Sequence, residues 1–410
     1  MIFFLKSTLT VSIRAICIAL FAWQFYLLTQ NFQEFNVSTK VKKYIPNEIE
    51  LPEIRIKVPY QFALDPVIIK SKYKTQFDEI CRHFSAKKDC DGHLTNPILF
   101  SKSFGPYLRL SDIANYSYAP EMFIRRVTVV GSRENALKTG KCKLISEASS
   151  SCLVLILKCL DSSDLPLKVS RSEVVVSNAN HLLSFKLNAT VMLLNLIYPG
   201  KAAVGDDSLY AYSSLTPGKQ ITHVIHFTKH TENLLSAPYK TMCKDYNQRQ
   251  TFEDCLNANS IDQTGLLFPG TTVSLEKYRK ASEIRFNAMF NKDNGTLLEI
   301  YKQCQSIVNQ PICNSVQYSF KMTKTIEDVS KGEEKAILHF SVSSKPDSLT
   351  ESKPEFPLSD YIILSGSLIS TWFGISIMGQ LLVASNLFCL AVERKSPVVS
   401  EHQDETMNPK

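Results

Sequence analysis

Hydrophobic positions concentrate at the two ends of the chain. Near the C-terminus, Tyr361 to Val392 holds no Asp, Glu, Lys, Arg or His, and is bounded by Asp360 and by Glu393, Arg394 and Lys395. A helix of about 20 residues crosses a bilayer core, so this run predicts a membrane span with length to spare. Near the N-terminus a second apolar stretch runs from Leu9 to Leu28, with Arg14 close to its start, where a long cation can snorkel to the interface. A cleaved signal peptide is the competing reading, with Lys6 before an apolar Ala15–Ala22. Against it, the apolar run continues through Trp23, Gln24, Phe25 and Tyr26, and no small-x-small cleavage site follows before Gln30.

Between the two ends, residues 30–360 carry a polar pattern broken by short β-branched and aromatic runs. Ile54–Val58, Arg126–Val130, Leu153–Leu157, Val174–Val176, Val191–Leu196, Ile221–Phe227 and Ala336–Val342 predict strands. Leu182–Leu187 alternates only loosely. Ser282–Phe290 and Leu297–Ile307 predict helices, and Glu232–Leu235 is a shorter helix-like run. Pro217-Gly218 and Pro269-Gly270 predict turns. The expected fold class is membrane α plus extracellular α+β, with two transmembrane helices flanking a large β-rich, disulfide-bonded ectodomain. The expected boundaries are a cytosolic N-terminus over 1–8, a first span over 9–29, the ectodomain over 30–360, a second, pore-forming span over 361–392 and a cytosolic tail over 393–410. Both termini are expected in the cytosol of a plasma-membrane protein. Charge supports this only at the second span, because Lys6 and Arg14 compete with Lys40, Lys42 and Lys43 across the first.

Composition changes the picture in two places. The mean hydropathy of −0.07 looks soluble, but two apolar ends can hide behind a polar middle. The net charge is +7 over 410 residues, with no dense Lys/Arg run, so nucleic acid is not an expected partner. Four sequons, at Asn36, Asn115, Asn188 and Asn294, all fall between the apolar ends, as do most of the 11 cysteines. Both features suit an oxidising, secretory compartment. Zinc sites favour tight C-x2-C pairs, which are absent, so the cysteines predict disulfides. Cys81 and Cys90 lie close in sequence, as do Cys152 and Cys159. Cys243, Cys255, Cys304 and Cys313 form a later cluster, and Cys142 has no obvious mate. Cys17 and Cys389 fall in the apolar ends.

No nucleophile elbow, Walker sequence, His-Glu-x-x-His or Gly-x-Gly-x-x-Gly occurs, so neither an enzyme nor a cofactor is expected. His223, His226 and His230 hint at a metal cluster. On a strand, 223 and 226 point to opposite faces, which favours structural histidines and no metal.

Four stretches resemble the epithelial sodium channel/degenerin/acid-sensing ion channel family. Leu51-Pro-Glu-Ile-Arg-Ile-Lys57 is similar to the strand after the first span. Leu235-Ser-Ala-Pro-Tyr-Lys-Thr-Met-Cys243-Lys-Asp-Tyr246, with Cys255-Leu256 following, resembles the family's Pro-Tyr-x-Thr-x-Cys segment. Cys304 and Cys313 with Val316-Gln-Tyr318 resemble its closing cysteines. Ser365-Gly-Ser-Leu-Ile-Ser-Thr-Trp-Phe-Gly374-Ile375-Ser376 resembles its second span with the Gly-x-Ser signature. These stretches anchor residues 50 to 380. ATP-gated purinergic channels share the two-span layout but not these motifs.

The resemblance implies a homo- or hetero-trimer in membrane lipid that passes Na+ and is blocked by amiloride. It implies Cys243–Cys313 and Cys255–Cys304 pairings, and a selectivity filter at Gly374, Ile375 and Ser376, where backbone carbonyls line the pore in an extended break. Ile363, Ser367, Ser370 and Thr371 are the expected pore-lining or gate residues, since 367, 370/371 and 374 step by three and four along one helix face. Small and hydroxylated residues let helices approach closely and offer oxygens to a cation.

The departures are specific. Lys57 stands where the family has its first cysteine, and no cysteine lies between Cys159 and Cys243. A His-Gly motif is not found before the first span. Leu381, Leu382 and Val383 occupy the region where the family commonly has an acidic residue. The ectodomain's net charge of +6 (41 Lys+Arg against 35 Asp+Glu over 30–360) offers no acidic funnel. The alternative expectation is therefore a non-conducting two-span regulatory subunit or cell-surface receptor of the same fold. Outside the family, a type I receptor with a cleaved signal peptide remains an alternative.

Overall fold

The computed structural model describes residues 2–82, 90, 100, 103–132, 134–176, 181–187, 192–197, 210–212, 219–278, 283–287, 295–328 and 336–374. In chain order the principal elements are α1 (Ile2–Gln33), β1 (Val37–Tyr44), β2 (Glu48–Glu50), β3 (Glu53–Pro59), α2 (Pro66–Lys72), α3 (Lys74–Cys81), α4 (Leu110–Tyr116), β4 (Ile124–Val129), β5 (Cys142–Ser149) and β6 (Cys152–Cys159). They continue with β7 (Lys168–Ser170), β8 (Leu183–Leu187), β9 (Met192–Ile197), β10 (Tyr210–Tyr212), β11 (Lys219–Asn233), α5 (Gln248–Thr264), β12 (Thr272–Ser274), α6 (Gly295–Ile307), β13 (Asn314–Asp328), β14 (Ala336–Val342), β15 (Asp347–Pro354) and α7 (Leu358–Phe373). Two compact units result: Met1–Ser38 with Pro238–Lys240 and Pro354–Lys410, and Thr39–Ala237 with Thr241–Lys353.

The larger unit is built on two sheets. In the larger sheet the strand order is β1-β15-β11-β14-β8-β4, with β13 also on β11. β11 is its axis. It pairs antiparallel with β13 along its whole length, from Lys219 opposite Asp328 to Asn233 opposite Asn314. On its other edge it pairs parallel with β14 and then β15. Burial alternates along β11 with the period of two that a strand imposes. Ile221, His223, Ile225 and Phe227 are buried, while His226 and His230 belong to the opposite face. The second sheet runs β10-β9-β3-β6-β5-β12. Ile54, Ile56 and Val58 of β3 join Leu153, Leu155 and Leu157 of β6 in one core that also takes Phe185, Ile225, Leu338 and Phe340 from the larger sheet. Burying each such side chain contributes about 1.5–3 kcal/mol.

A helical layer adds Phe77, Phe100 and Phe104 to this core; the Phe77 and Phe104 rings stack at 4.3 Å. Buried Asp112 of α4 accepts hydrogen bonds from Lys72 Nζ and Tyr73 Oη, both at 2.5 Å, which ties α4 to the end of α2. Burial and the Asp112 carboxylate raise the Tyr73 phenol above its ordinary range, so it donates. A second small core lies between α5 and α6, from Phe252, Leu256, Leu297, Ile300 and Val308. The Cys255–Cys304 disulfide fastens it.

Three secondary-structure expectations are corrected. Val174–Val176 is not a strand but the end of a helical turn, Arg171–Val176; three β-branched residues without a pairing partner do not hold an extended conformation. Glu232 is the penultimate residue of β11 rather than the start of a helix, because Thr231 and Glu232 are paired on both edges. Within Ser282–Phe290, the described residues 283–287 form bridges to Arg109 and Leu267 instead of a helix. At the expected spans, 9–29 and 361–392, the described helices are α1, which continues to Gln33, and α7, from Leu358 to Phe373; residues 375–392 lie outside the described residues.

In the smaller unit, Ala15–Gln33 of α1 is long and apolar enough to cross a membrane. α7 starts after Pro357, whose extended backbone and missing N–H suit a helix boundary. α1 and α7 pack against each other.

Candidate pore-lining helix

The 3.6-residue period divides α7 into two faces. Tyr361, Ser365, Leu368, Ile369 and Trp372 are partly covered and follow an i, i+4, i+7, i+8, i+11 spacing. Several of them meet α1. Tyr361 Oη and Thr29 Oγ1 are hydrogen-bonded at 3.1 Å, and the Tyr361 ring stacks on Phe32 at 4.5 Å. Trp372 Nε1 donates to Gln24 Oε1 at 2.8 Å. Phe373, at the end of the helix, sets its ring edge-on to Phe21 at 4.9 Å. The Ser365 hydroxyl is buried and has no hydrogen-bond partner among the described residues.

The opposite face carries the residues expected to line a pore. Ile363, Ser367, Ser370 and Thr371 are all exposed, Ile363 to 67%. At 100° per residue they cluster about half a turn from the covered stripe. Thr371 Oγ1 donates to the Ser367 carbonyl at 2.8 Å, a bond that slightly weakens and bends a helix. α7 has Gly374 as its C-cap. Gly374 has φ +63°, and its N–H donates to the Ser370 carbonyl at 2.9 Å, closing the last turn in a left-handed cap. A Cβ at Gly374 would meet nothing within 4 Å, so only the backbone angle calls for glycine. Ile375 and Ser376, the other two residues expected in a filter, lie outside the described residues.

The disulfides depart from expectation at one point. Cys81–Cys90, Cys243–Cys313 and Cys255–Cys304 are bonded. Cys152 and Cys159 are not a pair: Cys159 is joined to Cys142, and Cys152 is a buried free thiol. Geometry explains the correction. Cys152 and Cys159 are the two ends of one extended strand, β6, roughly 23 Å apart at about 3.3 Å per residue. Cys142 is the residue directly opposite Cys159 on β5, with the Cα atoms 4.0 Å apart. Burial raises the Cys152 thiol above its usual range, partly offset by Lys57.

Of the glycosylation candidates, Asn115 is exposed on α4, and Asn36 is partly covered with its Nδ2 donating to Glu34 Oε2 at 2.9 Å. Asn188 and Asn294 lie outside the described residues. Among the described residues no group of His, Cys, Asp or Glu could hold a metal ion. The histidines fall on both faces of the large sheet. His230 meets the hydroxyls of Ser348 at 2.6 Å and Ser319 at 2.8 Å. His339 stacks on His181 at 3.7 Å, and His181 Nδ1 meets Ser341 Oγ at 2.9 Å. Burial, with His181 beside it, lowers His339 to about 4.

Sequence reasoning missed the α1 side of this site. Nothing in the sequence pairs Gln24 with Trp372 or Thr29 with Tyr361. Gln24 carried the one usable signal, as the lone amide between Ala15 and Leu28.

No protein-family model and no curated protein sequence matches the chain. Among solved structures, it is similar to a cryo-EM structure of a proton-activated chloride channel, at 8% identity over 93% of this chain and 98% of that one, with a TM-score of 0.28. At that score the likeness assigns nothing to this chain.

Proposed function

We propose that the chain is a pore-forming subunit of a trimeric, sodium-selective, amiloride-sensitive cation channel of the plasma membrane, gated through its extracellular domain. The observation that carries this reading is the division of α7. One face is committed to α1, the other exposes Ile363, Ser367, Ser370 and Thr371, and the helix stops at a left-handed Gly374. A helix buried on one side by its own chain and bearing hydroxyls on the other suits a position around an aqueous axis. The Pro-Tyr-x-Thr-x-Cys and Trp-Phe-Gly-x-Ser stretches support the family and hence Na+ as the permeant ion. The ectodomain's β-core and its disulfide-fastened α5–α6 pair supply a rigid body through which a stimulus could act.

The second reading is a non-conducting regulatory subunit or receptor of the same fold. Leu381, Leu382 and Val383 favour it, because they leave no acidic residue below the filter to draw cations. Expression in oocytes separates the two. The first reading predicts an amiloride-blockable Na+ current, made constitutive by bulky replacement of the small residues around Ser365. Surface expression without current in any of these variants would sink it.

A further inference from the structure

The Gln24–Trp372 hydrogen bond joins the two helices at a defined place. An indole N–H can only donate, so the Gln24 amide must turn its oxygen towards it, as it does at 2.8 Å. In lipid an amide without a partner is costly, and small polar pairs between helices there act as fasteners. Trp372 sits two residues before the Gly374 cap, so the bond acts on the last turn of α7. Phe21, one turn before Gln24 on α1, meets Phe373 in the same turn. Two consecutive residues, Trp372 and Phe373, are thus both held by α1. Ser370, Thr371 and Gly374 share that turn and lie on its open side. Rotation of the turn about the helix axis moves all three together.

We propose that Gln24 is a positioning residue for the conduction path. Through its bond to Trp372 it fixes the rotation of the last turn of α7, and so the direction in which Ser370, Thr371 and the Gly374 break face. The inference rests on the pore reading for its consequence but not for the bond itself. Thr29–Tyr361 is a second fastener, about three turns earlier on α7, so loss of Gln24 leaves the helices together while freeing the end that carries the break.

The test has two readouts. The chain has two tryptophans, so Trp23→Phe leaves Trp372 as the sole indole. The full chain, reconstituted in lipid nanodiscs on that background, is examined by fluorescence emission and by the Raman bands that report indole N–H hydrogen bonding. Gln24→Leu is expected to shift both signatures to those of an unbonded indole. Gln24→Glu, which keeps a carbonyl acceptor, is expected to retain them. In oocytes, Gln24→Leu and Trp372→Phe are expected to change open probability or the Na+/K+ permeability ratio by at least threefold, with Gln24→Glu close to the parent. An indole signature unchanged by Gln24→Leu overturns the bond. A changed signature with unchanged conduction overturns the positioning role. If no variant conducts, the pore reading fails and the positioning role falls with it, while the spectroscopic result still establishes the bond.

Discussion

Acid should loosen the large sheet through His339. Its ring lies half-buried against His181, and burial first, then the neighbouring imidazole, lowers it from 6.5 to about 4. Apart from these two rings, the titratable side chains on the strands flanking β14 include His223 and His226 of β11. His223 lies on the buried face and is also lowered, by burial and by Lys324. The folded state therefore holds His339 neutral while the unfolded chain takes a proton near pH 6.5. Stability from this residue is complete above that pH and is lost as pH falls towards 4. Between pH 7 and pH 5 the linkage gives a loss of about 2 kcal/mol. Because the residue is only partly buried, roughly 1–2 kcal/mol is the working figure. The perturbation is His339→Asn, which removes the titration and the stack together. Thermal melting of the purified full chain at pH 7 and pH 5 is the assay. The variant should start less stable at pH 7 and lose markedly less than the parent on acidification. His181→Asn should keep most of the parent's pH dependence, because burial is the larger cause. A parent and His339→Asn with the same pH dependence would refute the reasoning, as would an NMR titration placing His339 near 6.5.

Three further outcomes follow from the same geometry. Peptide mapping without reduction should recover Cys142 joined to Cys159, with Cys152 alkylated only after denaturation; a Cys152–Cys159 link would contradict the strand pairing. Replacing Cys255 and Cys304 by serine opens a link across 49 residues of chain and should cost up to about 4 kcal/mol by loop entropy, read as early hydrogen exchange in α5 and α6 with the two-sheet core unchanged. Gly374→Ala should strain the left-handed cap by about 1–2 kcal/mol and reduce macroscopic conductance at unchanged surface expression; parental conductance would mean that the cap is not needed.

The strands that bury one face were legible because their pattern survives in any context. Ile54–Val58, Leu153–Leu157 and Ile221–Phe227 alternate or run apolar and were placed correctly. α5 was missed because its sequence, Gln248–Thr264, is polar nearly all round and buries only Phe252, Leu256 and Ser260. Its signals were at the ends: Asn247 caps the first turn by accepting from the Gln250 N–H, and Gly265 closes the last at φ +70°. The Cys142 pairing was illegible because strand register is a tertiary fact that spacing does not encode. The open face of α7 could be read from helical period alone. Its partner face could not, since Gln24 and Trp372 meet only once the two helices pack.

Substituted-cysteine accessibility along α7 tests the central claim most directly. Single cysteines from 361 to 374 are expressed in oocytes, and a positively charged thiosulfonate reagent is applied during current recording. The account predicts modification of current at 363, 367, 370, 371 and 374 but not at 361, 365, 368, 369 or 372. Uniform reactivity, reactivity on the stripe facing α1, or no current from any of these variants would contradict it.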